Sequence, residues 1–138
     1  MQANTERIEG YLMRTEHSYE LIADNTWMVH DEVDHVDNIV IQLTPPLVVF
    51  TVRLMDVPSD ATQKAELFEH LLKLNASDLL SGAYALDEGA VIITETLQSE
   101  TLDFEEFQAA IDCLTMAITD HYGQLRKYHH SSTGEEAA

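Results

Sequence analysis

The chain has 138 residues, 45% of them hydrophobic, which is enough for one globular domain and leaves no room for a second. Against 7 Lys and Arg stand 25 Asp and Glu, a formal charge of −18. The field of such a molecule repels nucleic acid and anionic lipid headgroups, so polyanionic partners and membrane surfaces are excluded.

In chain order, residues 5–16 place Ile8, Tyr11 and Leu12 at helical spacing between charged neighbours, which predicts a short amphipathic helix weakened by Gly10. From Tyr19 to Asp31 the β-formers Leu21, Ile22, Trp27, Met28 and Val29 flank a turn signal at Asp24-Asn25-Thr26, so a bent strand or two short strands are expected. An acidic turn at 31–35 leads into a strand over Val36 to Thr44, stopped by Pro45-Pro46.

Leu47 to Val57 alternates Val48, Phe50, Val52 and Leu54 with Val49, Thr51, Arg53 and Met55. Being apolar on nearly both faces, it reads as a central or interface strand. Asp60 as N-cap, with Gln63 three residues on, opens a helix carrying Leu67, Phe68, Leu71, Leu72 and Leu74, with Asn75 expected at its C-cap. After a connector at 77–81, residues 82–86 and 90–97 read as a hairpin with a three-residue loop and Gly89 at positive φ.

The last helix has the clearest start. Asp103 and Glu106 occupy N-cap and N3, and Leu102 and Phe107 the two positions of a hydrophobic staple. Behind them Phe104, Phe107, Ile111, Leu114, Ile118, Tyr122 and Leu125 form one apolar stripe. The domain is expected to end at 128, with 129–138 a flexible tail.

The single cysteine, Cys113, cannot form an intramolecular disulfide and is expected to be an inert, packed thiol in that stripe. The N-terminus lacks an export pattern and no apolar run approaches the length of a membrane span, so a cytoplasmic location is expected. The glycines are scattered and form no phosphate loop. No nucleophile stands with a histidine and an orienting acid in a recognisable pattern, and nothing calls for a cofactor, so binding is expected rather than catalysis.

The order α-β-β-β-α-β-β-α implies an α+β fold, a largely antiparallel sheet with helices packed on one face. Particular residues add a resemblance: Glu69-His70-Leu71-Leu72-Lys73-Leu74-Asn75, then Tyr84-Ala85-Leu86-Asp87-Glu88-Gly89 before Val91-Ile92-Ile93-Thr94-Glu95, then Leu102-Asp103-Phe104-Glu105-Glu106-Phe107. In this order they resemble the YbjN domain family, which is similar in fold to the class I type III secretion chaperones of the CesT/Tir type. The likeness is detailed over 60–128 and holds by element order over 5–57. A single Gly82 at the joint and the Pro45-Pro46 turn depart from the family pattern. The resemblance implies a small, acidic, usually dimeric, non-enzymatic protein that holds a partly unfolded segment of a partner against apolar grooves and exposed strand edges.

Two sets of residues are candidates for a site. The two-faced strand in a one-sided sandwich leaves a face to be covered by a second copy or a partner protein, and Trp27, Met28, Val48, Phe50, Val52, Leu54, Leu67 and Leu71 are the expected contacts. The alternative is a small metal- or ligand-binding regulator using His30, Asp31, Asp34 and His35 at the acidic turn. Between 74 and 125 ten acids meet no Lys or Arg. Such a surface attracts a basic partner, and it equally serves solubility, including in a salt-rich cell interior.

Overall fold

A computed structural model describes residues 2–15, 17–30, 38–79 and 81–133. Its elements run α1 (Gln2–Arg14), β1 (Ser18–Ala23), β2 (Thr26–His30), β3 (Asn38–Thr44), β4 (Leu47–Asp56), α2 (Ala61–Ser77), β5 (Ala83–Asp87), β6 (Ala90–Gln98) and α3 (Phe104–Thr133). The fold is α+β. All six strands join one antiparallel sheet in the order β1-β2-β3-β4-β6-β5. The stretch expected as a bent strand or two strands is a hairpin, so four strands precede α2. The acidic turn at 31–35 and the start of the strand expected from Val36 lie outside the described residues.

Alternation along the strands sends one set of side chains beneath the helices. Trp27 and Val29 of β2, Ile39, Ile41 and Leu43 of β3, Val48, Phe50 and Val52 of β4, and Val91 and Ile93 of β6 are all buried. They meet Ile8 and Leu12 of α1, Leu67, Leu71 and Leu74 of α2, and Phe107, Ile111, Leu114 and Ile118 of α3 in one core. Phe107 is its centre, edge-on to Phe50 at 5.4 Å between ring centroids and 5.5 Å from Tyr11.

A register shift between Arg53 and Met55 inserts one extra residue into β4. Beyond this bulge the phase reverses, so Met55 is buried and Leu54 turns to the open face, the opposite of strict alternation. The helix starts follow their local chemistry. Asp60 accepts from the Gln63 N–H at 2.9 Å. Asp103 and Glu106 form a reciprocal capping box, with bonds of 2.7 and 3.3 Å.

Other boundaries differ from expectation. The β5–β6 loop has two residues, Glu88 (φ 50°) and Gly89 (φ 81°), between the paired Asp87 and Ala90. Two positive-φ residues in succession fit the strand twist as a type I′ turn does, so no three-residue loop is needed. Helix α3 continues to Thr133, through part of the expected tail. Its buried stripe takes His121 in place of Tyr122, and Cys113 lies off the stripe and is exposed. The thiol is therefore not a core group.

Candidate partner-binding surfaces

Strand β1 forms one edge of the sheet, and all six of its residues are exposed. Its apolar side chains Leu21 (60%) and Ile22 (45%) stand in solvent beside Tyr19. A register shift between Leu21 and Ala23 bulges the strand there. The turn that follows is pinned to the body, because the Asn25 carbonyl, at φ 53°, accepts from the Leu43 N–H at 2.8 Å and its side chain bonds Thr5 Oγ1 at 2.8 Å. β1 is thus an edge anchored at its turn, and no described helix covers it.

The second surface is the sheet face opposite the helices. Met28, Val40, Thr51, Leu54 and Ile92 are half-buried there and line a concavity of about 550 Å³ rimmed by Arg53, Asp87 and Glu88. Arg53 is engaged by Asp56 at 2.6 Å, which leaves the rim acidic.

A third surface lies where α2 meets β5, the other edge strand. Phe68, Leu71, Leu72, Tyr84, Ala85 and Leu86 line a shallow apolar groove of about 230 Å³. Leu72 and Leu86 are 68% and 50% exposed. Asn75, expected as a C-cap, instead lies within α2, whose C-cap is Asp78, and reaches across to β5. Its side-chain amide donates to the Tyr84 carbonyl at 3.1 Å and accepts from the Tyr84 N–H at 2.8 Å.

Behind this groove runs a polar chain with the connectivity of a hydrolase triad. His121 is buried, its Nδ1 is 2.6 Å from the Tyr84 hydroxyl and its Nε2 is 3.4 Å from Asp78 Oδ2. Burial pushes the Tyr84 phenol far above the usual tyrosine range, and the carboxylates of Asp78 and Asp120 raise it further. A phenol held neutral in this way donates its hydrogen bond to His121, and the chain ties α2, β5 and α3 together.

Of the eight partner contacts expected from the sequence, only Met28 and Leu54 lie on an open surface. Trp27, Val48, Phe50, Val52 and Leu67 are at most 1% exposed, and Leu71 5%. They are core, because the helices cover the face to which these residues point. Sequence reasoning missed Tyr19, Leu21, Leu72, Asn75 and Leu86 as surface features. For Leu72 the adjacent apolar pair Leu71-Leu72 was the available signal, since a one-sided helix buries only one of two neighbours.

At the proposed metal turn, His30 bonds Asn38 Oδ1 through Nδ1 at 2.7 Å and Glu20 Oε2 through Nε2 at 3.3 Å. Asp31, Asp34 and His35 lie outside the described residues. Among the described residues, no group of three or more His, Cys, Asp or Glu side chains is arranged to hold a metal ion, and no helix is long and apolar enough to cross a membrane.

The same architecture occurs in solved structures. A chain of the heterodimeric ExoU–SpcU complex from the type III secretion system of Pseudomonas aeruginosa matches with a TM-score of 0.64 and 19% identity, over 82% of this chain and 93% of that one. YbjN of E. coli, described as a putative transcription regulator, matches with a TM-score of 0.64 and 14% identity, over 86% and 91%. The Yersinia pestis type III secretion chaperone SycH, solved with a fragment of YscM2, gives 0.59 and 11%, over 85% and 98%. At these identities the likeness is one of fold. No curated protein sequence matches the chain. The family model CesT_Tir_1, however, matches residues 1–131, and the chain belongs to that family.

Proposed function

We propose that the protein is a non-enzymatic, chaperone- or adaptor-like binding module that takes an extended segment of a partner protein at the β1 edge. The observation that carries this is an edge strand exposed along its whole length yet bearing Tyr19, Leu21 and Ile22. Unpaired backbone groups supply affinity to an added strand and flanking apolar side chains supply selectivity. The −18 charge speeds the encounter with a basic partner. Structural neighbours solved with protein partners, the ExoU–SpcU and SycH–YscM2 complexes, support the reading. A cytoplasmic setting accords with it.

The test is affinity capture from the native cell with the wild-type chain and with Leu21→Lys/Ile22→Lys. Both positions are exposed, so the variant should keep its circular dichroism and thermal midpoint while losing the captured partner. Undiminished recovery of the same partner by the folded variant refutes the reading.

A second copy of the chain is the occupant proposed for the α2–β5 groove, in place of the sheet face favoured by strand pattern alone. Exposed Leu72 and Leu86 beside an apolar groove support it. Light scattering should give twice the 15.6 kDa chain mass at micromolar concentration, and Leu72→Glu should halve it. A wild-type mass of one chain refutes the homodimer.

A further inference from the structure

We infer that Asn75 closes the β5 edge of the sheet by imitating one rung of a β-ladder, so that strand pairing with another chain is confined to the β1 edge. In a β-strand the N–H and C=O of one residue point to the same side. Both groups of Tyr84 are taken by the Asn75 amide, at 2.8 and 3.1 Å, and therefore point away from β6. A carboxamide carries the same donor and acceptor as a peptide group, so it can fill both positions where an ionised carboxylate, which only accepts, would leave the carbonyl without a donor.

Little of β5 is left to pair. The strand covers Ala83–Asp87, Gly82 at φ 79° precedes it, and the Glu88-Gly89 turn follows it. By alternation Leu86 is the remaining residue of the strand whose N–H and C=O face outward. Unpaired edges are templates for indiscriminate association, and proteins blunt them with side chains or covering elements. Here one end of the sheet is blunted from α2, while β1 at the other end is exposed throughout. Two copies meeting at the α2–β5 groove then do so through side chains, without merging their sheets.

The consequence for β1 rests on the proposed strand addition, but the closure of β5 is measured separately. In the wild-type chain, hydrogen exchange should show the Tyr84 amide protected at least about tenfold beyond coil rates. Exchange at the coil rate overturns the inference without any variant. Asn75→Ala should tighten self-association, read by concentration-dependent light scattering, by at least about tenfold. Adding Leu86→Pro, which removes the remaining outward N–H, should reverse that gain. Unchanged self-association in a folded Asn75→Ala chain, or a gain that Leu86→Pro leaves intact, overturns the proposal. Partner capture by Leu21→Lys/Ile22→Lys is read independently, so β5 closure can stand while strand addition at β1 falls, or the reverse.

Discussion

Replacing Tyr84 by Phe isolates the hydrogen bond at the centre of the α2–β5–α3 junction. The ring is kept, so packing is conserved, but His121 Nδ1 loses its 2.6 Å partner in a site only 5% exposed. A buried polar atom left unpaired costs about 1–3 kcal/mol, which for a domain of this size lowers the melting temperature by roughly 6–8 °C at the midpoint of that range. The pH dependence supplies the sharper test. Because the folded chain holds the Tyr84 phenol far above the ordinary value, the neutral form is favoured by folding. That contribution is complete below the unfolded pKa of about 10 and is lost as pH rises from there toward the folded value. At pH 11 the wild type should have lost about 1.4 kcal/mol from this group alone, and Tyr84→Phe none. Urea unfolding of both proteins between pH 7 and 11 measures the gap, which should be about 2 kcal/mol at pH 7–9 and about 0.6 at pH 11. A gap that stays constant to pH 11 refutes the burial argument, and a gap below about 0.5 kcal/mol at pH 7 refutes the hydrogen bond.

Phe107→Ala should destabilise by about 3–5 kcal/mol in urea titrations, because the ring bridges Tyr11 and Phe50 at the middle of the core. Gly82→Ala should cost more than Gly89→Ala by at least about 1 kcal/mol: both have positive φ, but only at Gly82 does an added Cβ meet backbone, the Thr94 carbonyl at 2.8 Å. Asp103→Ala removes one half of the α3 capping box and should lower stability by about 1 kcal/mol, while Glu105→Ala in the same first turn should leave it within about 0.5.

Features written in neighbouring residues were legible without coordinates. The Asp103–Glu106 box and the 3.6-residue stripe behind it specify a helix start and face from a few consecutive positions, and the strand alternation at 47–52 specifies which residues share a side. Which side the helices would cover was not legible, because it depends on how α1 and α3 pack across strands far away in sequence. That is why Phe50 and Val52 were expected at a partner surface and lie in the core. The bulge at Leu54 is similarly silent, since one inserted residue reverses the phase without altering composition. Asn75 reads locally as a helix end, and only the approach of β5 converts its amide into a backbone partner.

The strand order has a kinetic consequence. β4 and β6 are the seam of the sheet, paired from Leu47–Gln98 to Asp56–Ala90, yet residues 57–89 form the excursion between them. Closing a loop of that length costs roughly 3 kcal/mol in chain entropy before any contact across it is gained. The β1-to-β4 meander grows from neighbouring hairpins and is spared that toll, so docking of β6 onto β4 is expected to set the folding barrier. Substitutions at Val52 or Ile93 should then slow folding, whereas substitutions at Leu21 should act mainly on unfolding. β1, the edge proposed above for strand addition, is the strand most remote from that seam, so a segment added there leaves the β4–β6 pairing untouched.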